Sequence, residues 1–192
     1  MHSIYLVSCT FLMLGCCMLN YGNNGSNDSM QWNRIESLLS LNATHISMIK
    51  ERVGTVSLDN LNNFIEAIER LVKQKVSDDA VHPQDALLVD KSNHEVLVDN
   101  DYIRILWITL AAGEACVPHT HQWPSVTLIV SGLKFLSHKD DGSTVEEEWL
   151  PGVYELAGDT NLEAFTNIST CDYQGLGVEL KRTMPTNSSP IA

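Results

Sequence analysis

Basic residues are scarce in this chain. Twelve Lys and Arg stand against twenty-four Asp and Glu, a formal net charge of −12. A field of that sign repels phosphate backbones, so nucleic acid is not an expected partner unless the few basic residues cluster. Several motifs are absent: a phosphate-cradling glycine loop, a Gly-x-Ser-x-Gly elbow and a Cys-x-x-Cys pair. No motif therefore points to nucleotide phosphate binding, the usual serine hydrolase arrangement or dithiol redox chemistry. Cysteine is thin beyond the first twenty residues, where only Cys116 and Cys171 occur. Two cysteines make no disulfide framework, and one bridge or two thiols are equally open readings. Charged residues are only 19% and hydrophobic residues 44% of the 192. That balance gives a packed core and one domain of ordinary size.

No Lys or Arg precedes the apolar run Ser3–Leu19. The run is shorter than the ~20 residues of a membrane span and close to the apolar part of an export signal. It ends in Met13-Leu14-Gly15-Cys16. That box resembles the cleavage site of bacterial lipoproteins and makes Cys16 the expected lipidated residue. Asn20–Ser29 is rich in Asn, Gly and Ser and reads as a polar tether. Residues 1–29 are thus expected to be an export leader with its tether. The expected location is the periplasm or cell envelope, with membrane anchoring through the N-terminus. The alternative is an uncleaved N-terminal helix that leaves the chain cytoplasmic or membrane-tethered.

Residues 30–76 read as helical. Ile35, Leu38, Leu39, Ile46, Ile49 and Val53 recur at helical spacing from Trp32 to Val53, and Gly54 breaks the pattern. Leu58, Leu61, Ile65, Ile68 and Val72 form a second stripe over about Leu58–Val76. Two amphipathic helices are expected, covering the domain that follows or serving a homodimer or partner interface. Residues 77–85 are polar, contain Pro83 and read as a linker. Residues 86–182 switch to strand patterning, with strands expected at Leu87–Asp90, Glu95–Val98, Tyr102–Leu110, Val117–His121, Val126–Val130, Lys134–His138, Val145–Leu150, Val153–Leu156, Glu163–Asn167 and Tyr173–Lys181. Many short strands with regular turns point to a closed antiparallel barrel or sandwich. Residues 183–192 read as a disordered tail. Glu146, Glu147 and Glu148 read as a solvated edge strand guarded by charge.

His119 and His121 stand two apart on an expected strand, so both imidazoles point to one face and reach one ion. Their frame, Gly113, five residues, His119-Thr-His121, then Gly132, resembles the first motif of the cupin superfamily. The family's glutamate position holds Ser125. Anchoring the second motif on Asn167 places Gly152 on its first glycine and Glu163 on its histidine. The resemblance covers about residues 85–182 and implies a mainly β fold: a cupin-type antiparallel barrel, or jelly roll, preceded by the two helices. It implies a metal set of His119, His121 and Glu163, two imidazoles and a carboxylate of the kind that suits Fe(II) and also accepts Zn²⁺, Mn²⁺ or Ni²⁺. Trp123 and Ser125 are expected on the wall of a substrate pocket. The function this implies is a metal-dependent cupin of oxygenase or isomerase type acting on a small organic molecule. The alternative is a non-catalytic module that binds a small-molecule ligand beside a degenerate metal site. His45, His82 and His94 belong to no constellation the spacing defines.

Overall fold

The computed structural model describes residues 25–54, 56–76, 81–139, 141–156 and 158–184. The lipoprotein-like box with Cys16, most of the tether and most of the tail lie outside them. Among the described residues no helix is long and apolar enough to cross a membrane.

Among the described residues three helices come first: α1 (Gly25–Leu38), α2 (Ala43–Val53) and α3 (Leu58–Leu71). The first expected helix is therefore two, and α1 begins inside the stretch read as a tether. The break has a local cause. Ser40 adopts a positive φ of 51°. The Leu41 N–H reaches back to the Glu36 carbonyl at 2.9 Å, and Ser40 N–H to that of Ser37 at 3.4 Å. This is the Schellman way of ending a helix, with serine where glycine is usual. Asn42 then caps α2 by accepting from the His45 N–H at 2.9 Å. Ser57 caps α3 in the same way through Asn60 N–H at 3.1 Å.

One further turn of helix, α4 (Ala86–Val89), replaces the strand expected at Leu87–Asp90. The apolar Leu87-Leu88-Val89 run imitates a strand. Asp85 decides otherwise, because its Oδ1 accepts from Leu87 N–H at 3.1 Å and starts a helix.

The strands are β1 (His94–Asp99), β2 (Ile103–Leu110), β3 (His119–His121), β4 (Ser125–Ser131), β5 (Leu133–His138), β6 (Thr144–Trp149), β7 (Gly152–Leu156), β8 (Asp159–Glu163), β9 (Phe165–Asn167) and β10 (Tyr173–Leu180). A five-stranded sheet runs β1-β2-β10-β4-β7. Opposite it lie a three-stranded sheet, β6-β5-β9, and the β3-β8 pair. Every ladder between these strands is antiparallel. The molecule is mainly β, a jelly-roll barrel with helices before it. The single strand expected at Glu163–Asn167 is divided, since β8 pairs with β3 while β9 pairs with β5.

The large sheet is buried on both faces. Ile103, Ile105, Leu128, Leu176, Val178 and Leu180 share one core with Ile35, Ile49, Phe64, Ile65 and Ile68 of the helices. Leu106, Ile108, Thr127, Ile129, Gly177 and Glu179 alternate with them and face the barrel interior. The helices are therefore the outer half of the barrel's own core. Asn167 ties the interior together: its Nδ2 donates to the carbonyls of Leu110 (2.9 Å) and Cys171 (3.1 Å).

Phe64 is fully buried where α3 meets the sheet. Phe64→Ala is expected to lower the unfolding free energy by about 3–5 kcal/mol. Urea denaturation followed by tryptophan fluorescence and by far-UV circular dichroism measures it. Because the core is shared, both signals move together, and separate transitions for helices and barrel would contradict that sharing.

Candidate metal centre

His119 and His121 project from β3 toward the interior, as the i, i+2 spacing requires, and are joined there by a third imidazole. His94 opens β1, where it lies opposite Ile108 of β2. One ligating atom from each of His94, His119 and His121 lies within 4.8 Å of the other two. Ring centroids are 4.8 Å apart for His94 and His119, 5.5 Å for His94 and His121, and 5.1 Å for His119 and His121. The side chains of His94 and His119 are almost wholly buried, and that of His121 is about nine-tenths buried.

The Nδ1 atom of each ring is occupied on the side away from the cluster. His94 Nδ1 bonds the carbonyl of Asp90 at 2.9 Å and His119 Nδ1 that of Val117 at 2.7 Å. His121 Nδ1 bonds Glu179 Oε1 at 2.8 Å. A carbonyl or carboxylate there accepts a hydrogen bond from Nδ1–H and so fixes the tautomer whose lone pair is on Nε2. Burial pushes the His94 pKa down to about 3, and the neighbouring imidazoles push the same way. His94 is therefore neutral at any ordinary pH, the form a metal ligand needs.

Glu179 is itself held by a buried chain of charges. Its Oε2 accepts from Arg104 Nε. The Arg104 guanidinium reaches Asp85 with a second pair of bonds, Nη1 to Oδ1 at 2.9 Å and Nη2 to Oδ2 at 2.8 Å. Burial by itself raises a carboxyl pKa; the bond from His121 and the charge of Arg104 outweigh it and bring Glu179 to about 2. Burial opposes the charge of Arg104, but its two carboxylates raise its pKa above the usual value. Trp123 covers the guanidinium, with its ring centre 4.7 Å from Arg104 Cζ.

A cavity of about 50 Å³ adjoins the three rings. That is room for a few water-sized groups, roughly. Its other walls include Leu106, Ser125, Ile129, Tyr154, Phe165 and Tyr173. Ser125 lines this cavity. Trp123 does not stand among the lining residues; it backs Arg104 instead. Glu163 lies in register opposite His119 on the β3–β8 ladder, and its side chain is outside the described residues. Gly158, at the turn between β7 and β8, has φ +88°, and a Cβ there would meet Gln122 O at 2.9 Å. The turn thus presses on the segment that follows His121, which requires glycine. Cys116 and Cys171 are not joined by a disulfide. Cys116 Sγ accepts from Phe165 N–H at 3.2 Å, in the same wall.

Spacing alone does not reveal His94, Asp90 or Glu179. One signal was present. In β10 the alternation sets Glu179 on the same side as Gly175 and Gly177, and that side is the interior.

The depressed His94 pKa has a sign in stability. The unfolded chain binds the proton near pH 6.5 and the folded one only near 3. Folding stability is then fully present above 6.5 and falls as pH drops through that window. Urea midpoints in chelator are expected to fall on acidification below about pH 6.5, and less so for His94→Gln. Equal slopes for the two proteins would show that His94 is not buried neutral.

No protein-family model matches the chain, and no curated protein does. Solved structures are similar to part of it. A cupin domain from Bordetella pertussis Tohama I is 18% identical over 46% of this chain and 91% of its own, with a TM-score of 0.41. An RmlC-like cupin family protein with a double-stranded β-helix fold from Methanocaldococcus jannaschii is 18% identical over 45% of this chain and 77% of its own, TM-score 0.36. The polyketide cyclase RemF from Streptomyces resistomycificus is 22% identical over 48% and 66%, TM-score 0.37. In each case the aligned part is less than half of this chain.

Proposed function

We propose that this chain binds one divalent transition metal ion through His94, His119 and His121, and that it acts there on a small organic molecule as a cupin of oxygenase or isomerase type. The observation that carries the reading is the convergence of three buried imidazoles whose Nδ1 atoms are all tied outward.

The residues fit such an ion. Three neutral nitrogen donors suit Fe, Zn, Mn or Ni in the divalent state and leave further coordination positions for a ligand. The backing of each ring by a carbonyl or carboxylate is the arrangement that orients histidine ligands and raises their basicity. Glu163, in register beside His119, is the fourth donor of this proposal. It restores the carboxylate that Ser125 does not supply. When bound, the ion supplies Lewis acidity or oxygen activation to the small molecule.

The chain's own residues do the rest. Phe165, Tyr173, Leu106 and Ile129 exclude water from the space beside the rings and admit an apolar portion of a ligand. Ser125 offers a hydroxyl in the same space. Glu179, held by Arg104 and Asp85, keeps His121 in one orientation and one tautomer.

A second reading is a binding module without catalysis, and Ser125 at the family's glutamate position favours it. Ligands that raise the melting temperature equally with and without chelator would select this reading.

Elemental analysis of purified protein loaded with Zn²⁺, Mn²⁺, Ni²⁺ or Fe²⁺ is expected to give roughly one ion per chain. His94→Ala, His119→Ala and His121→Ala each abolish that stoichiometric binding. Glu179→Gln weakens it by about 10–100-fold. A wild type that takes up none of these ions overturns the proposal. So does a His94→Ala chain that binds as well as wild type.

A further inference from the structure

The backing of His121 by Glu179 is complete, with both carboxylate oxygens bonded. A second buried carboxylate near the same cluster is not. Asp90, at the end of α4, is 1% exposed. Its Oδ1 accepts from Asn93 Nδ2 at 3.0 Å. Its Oδ2 is buried and makes no hydrogen bond. That oxygen lies 3.5 Å from His119 Nδ1 and 3.7 Å from His94 Nδ1. It stands behind both rings, on the side away from the cluster's centre.

The position is unfavourable in the metal-free chain. A carboxylate taken out of water with one oxygen bare loses solvation that it does not regain. The two ring N–H groups are directed to the carbonyls of Val117 and of Asp90 itself, so they compensate only through their dipoles, and the Val117 backbone N–H offsets only part of the burial cost. A cation on the far side of the rings changes the balance. It draws electron density through each imidazole and makes each Nδ1–H more positive. Charge then emerges on the atoms that flank Asp90 Oδ2. One carboxylate oxygen shared by two imidazoles is placed to meet it.

We propose that Asp90 is a positioning residue for the cation: a carboxylate that destabilises the empty barrel and stabilises the loaded one, acting through His94 and His119 together. The proposal rests on the metal reading above. Asp90 touches neither ion nor ligand.

The test measures two quantities on the same pair of proteins. Co²⁺ affinity is followed by its visible ligand-field absorption, and the melting temperature is read in chelator. Asp90→Asn keeps the shape, and rotation of the Asn93 amide preserves the contact between the two side chains. The expected result is a Co²⁺ affinity about 10–100-fold lower, with a metal-free melting temperature equal to or above that of wild type. Asp90→Ser, which adds no bulk, is expected to behave alike and serves if the first variant does not fold. The inference is overturned if Co²⁺ binding is unchanged while wild type binds. It is also overturned if the metal-free melting temperature falls, or if neither variant folds, since Asp90 is then a structural residue. A wild type that shows no Co²⁺ spectrum defeats the metal reading itself, a different outcome.

Discussion

Arg104 is the residue on which the interior depends. Its guanidinium is buried between the carboxylates of Asp85 and Glu179 and under the indole of Trp123. Each contact joins a different segment to β2: Asp85 the α4 turn, Glu179 the last strand, Trp123 the chain just beyond β3. Three charges without solvent are tolerable only because each is paired and hydrogen-bonded, and loss of one leaves the others stranded. This arrangement fixes where α4 begins, and with it the position of Asp90 at the far end of that turn. It also sets the orientation of Glu179, and through it the ring of His121. The centre is assembled from separate stretches, with one arginine holding them in register.

The histidine pair shows why some of the site was legible in the sequence. His119 and His121 lie on one strand, and the two-residue period carries both to one face whatever surrounds them. The resemblance to the cupin motif then supplied the barrel. His94 is different. It precedes His119 by 25 positions and reaches the pair only because β1 pairs with β2 and the barrel closes. No local period encodes that closure. The same holds for Asp85, which reads as the last polar residue of a linker and is fully buried against Arg104.

Errors of element type follow the same logic. Leu87-Leu88-Val89 has the composition of a strand, but one aspartate side chain at the turn's start offers a backbone partner and a helical turn forms. The helix drawn from Trp32 to Val53 has an unbroken apolar stripe, and the break at Ser40–Asn42 preserves that stripe. Ile35, Leu39, Ile46 and Ile49 are all buried, in two helices rather than one. Hydrophobic period reported the buried face correctly, while caps decided where each segment stopped.

Strand β10 alternates between two environments. Leu176, Val178 and Leu180 are embedded among the helices, and Gly177 and Glu179 meet the interior. The strand is gripped from both sides and by neighbours on both edges, β2 and β4. The consequence is mechanical. The Glu179 carboxylate has no independent travel, because its backbone shifts only when a whole sandwich of helix, sheet and barrel wall shifts with it. Stiffness at the innermost atoms is thus inherited from a layer of helices that never touches them.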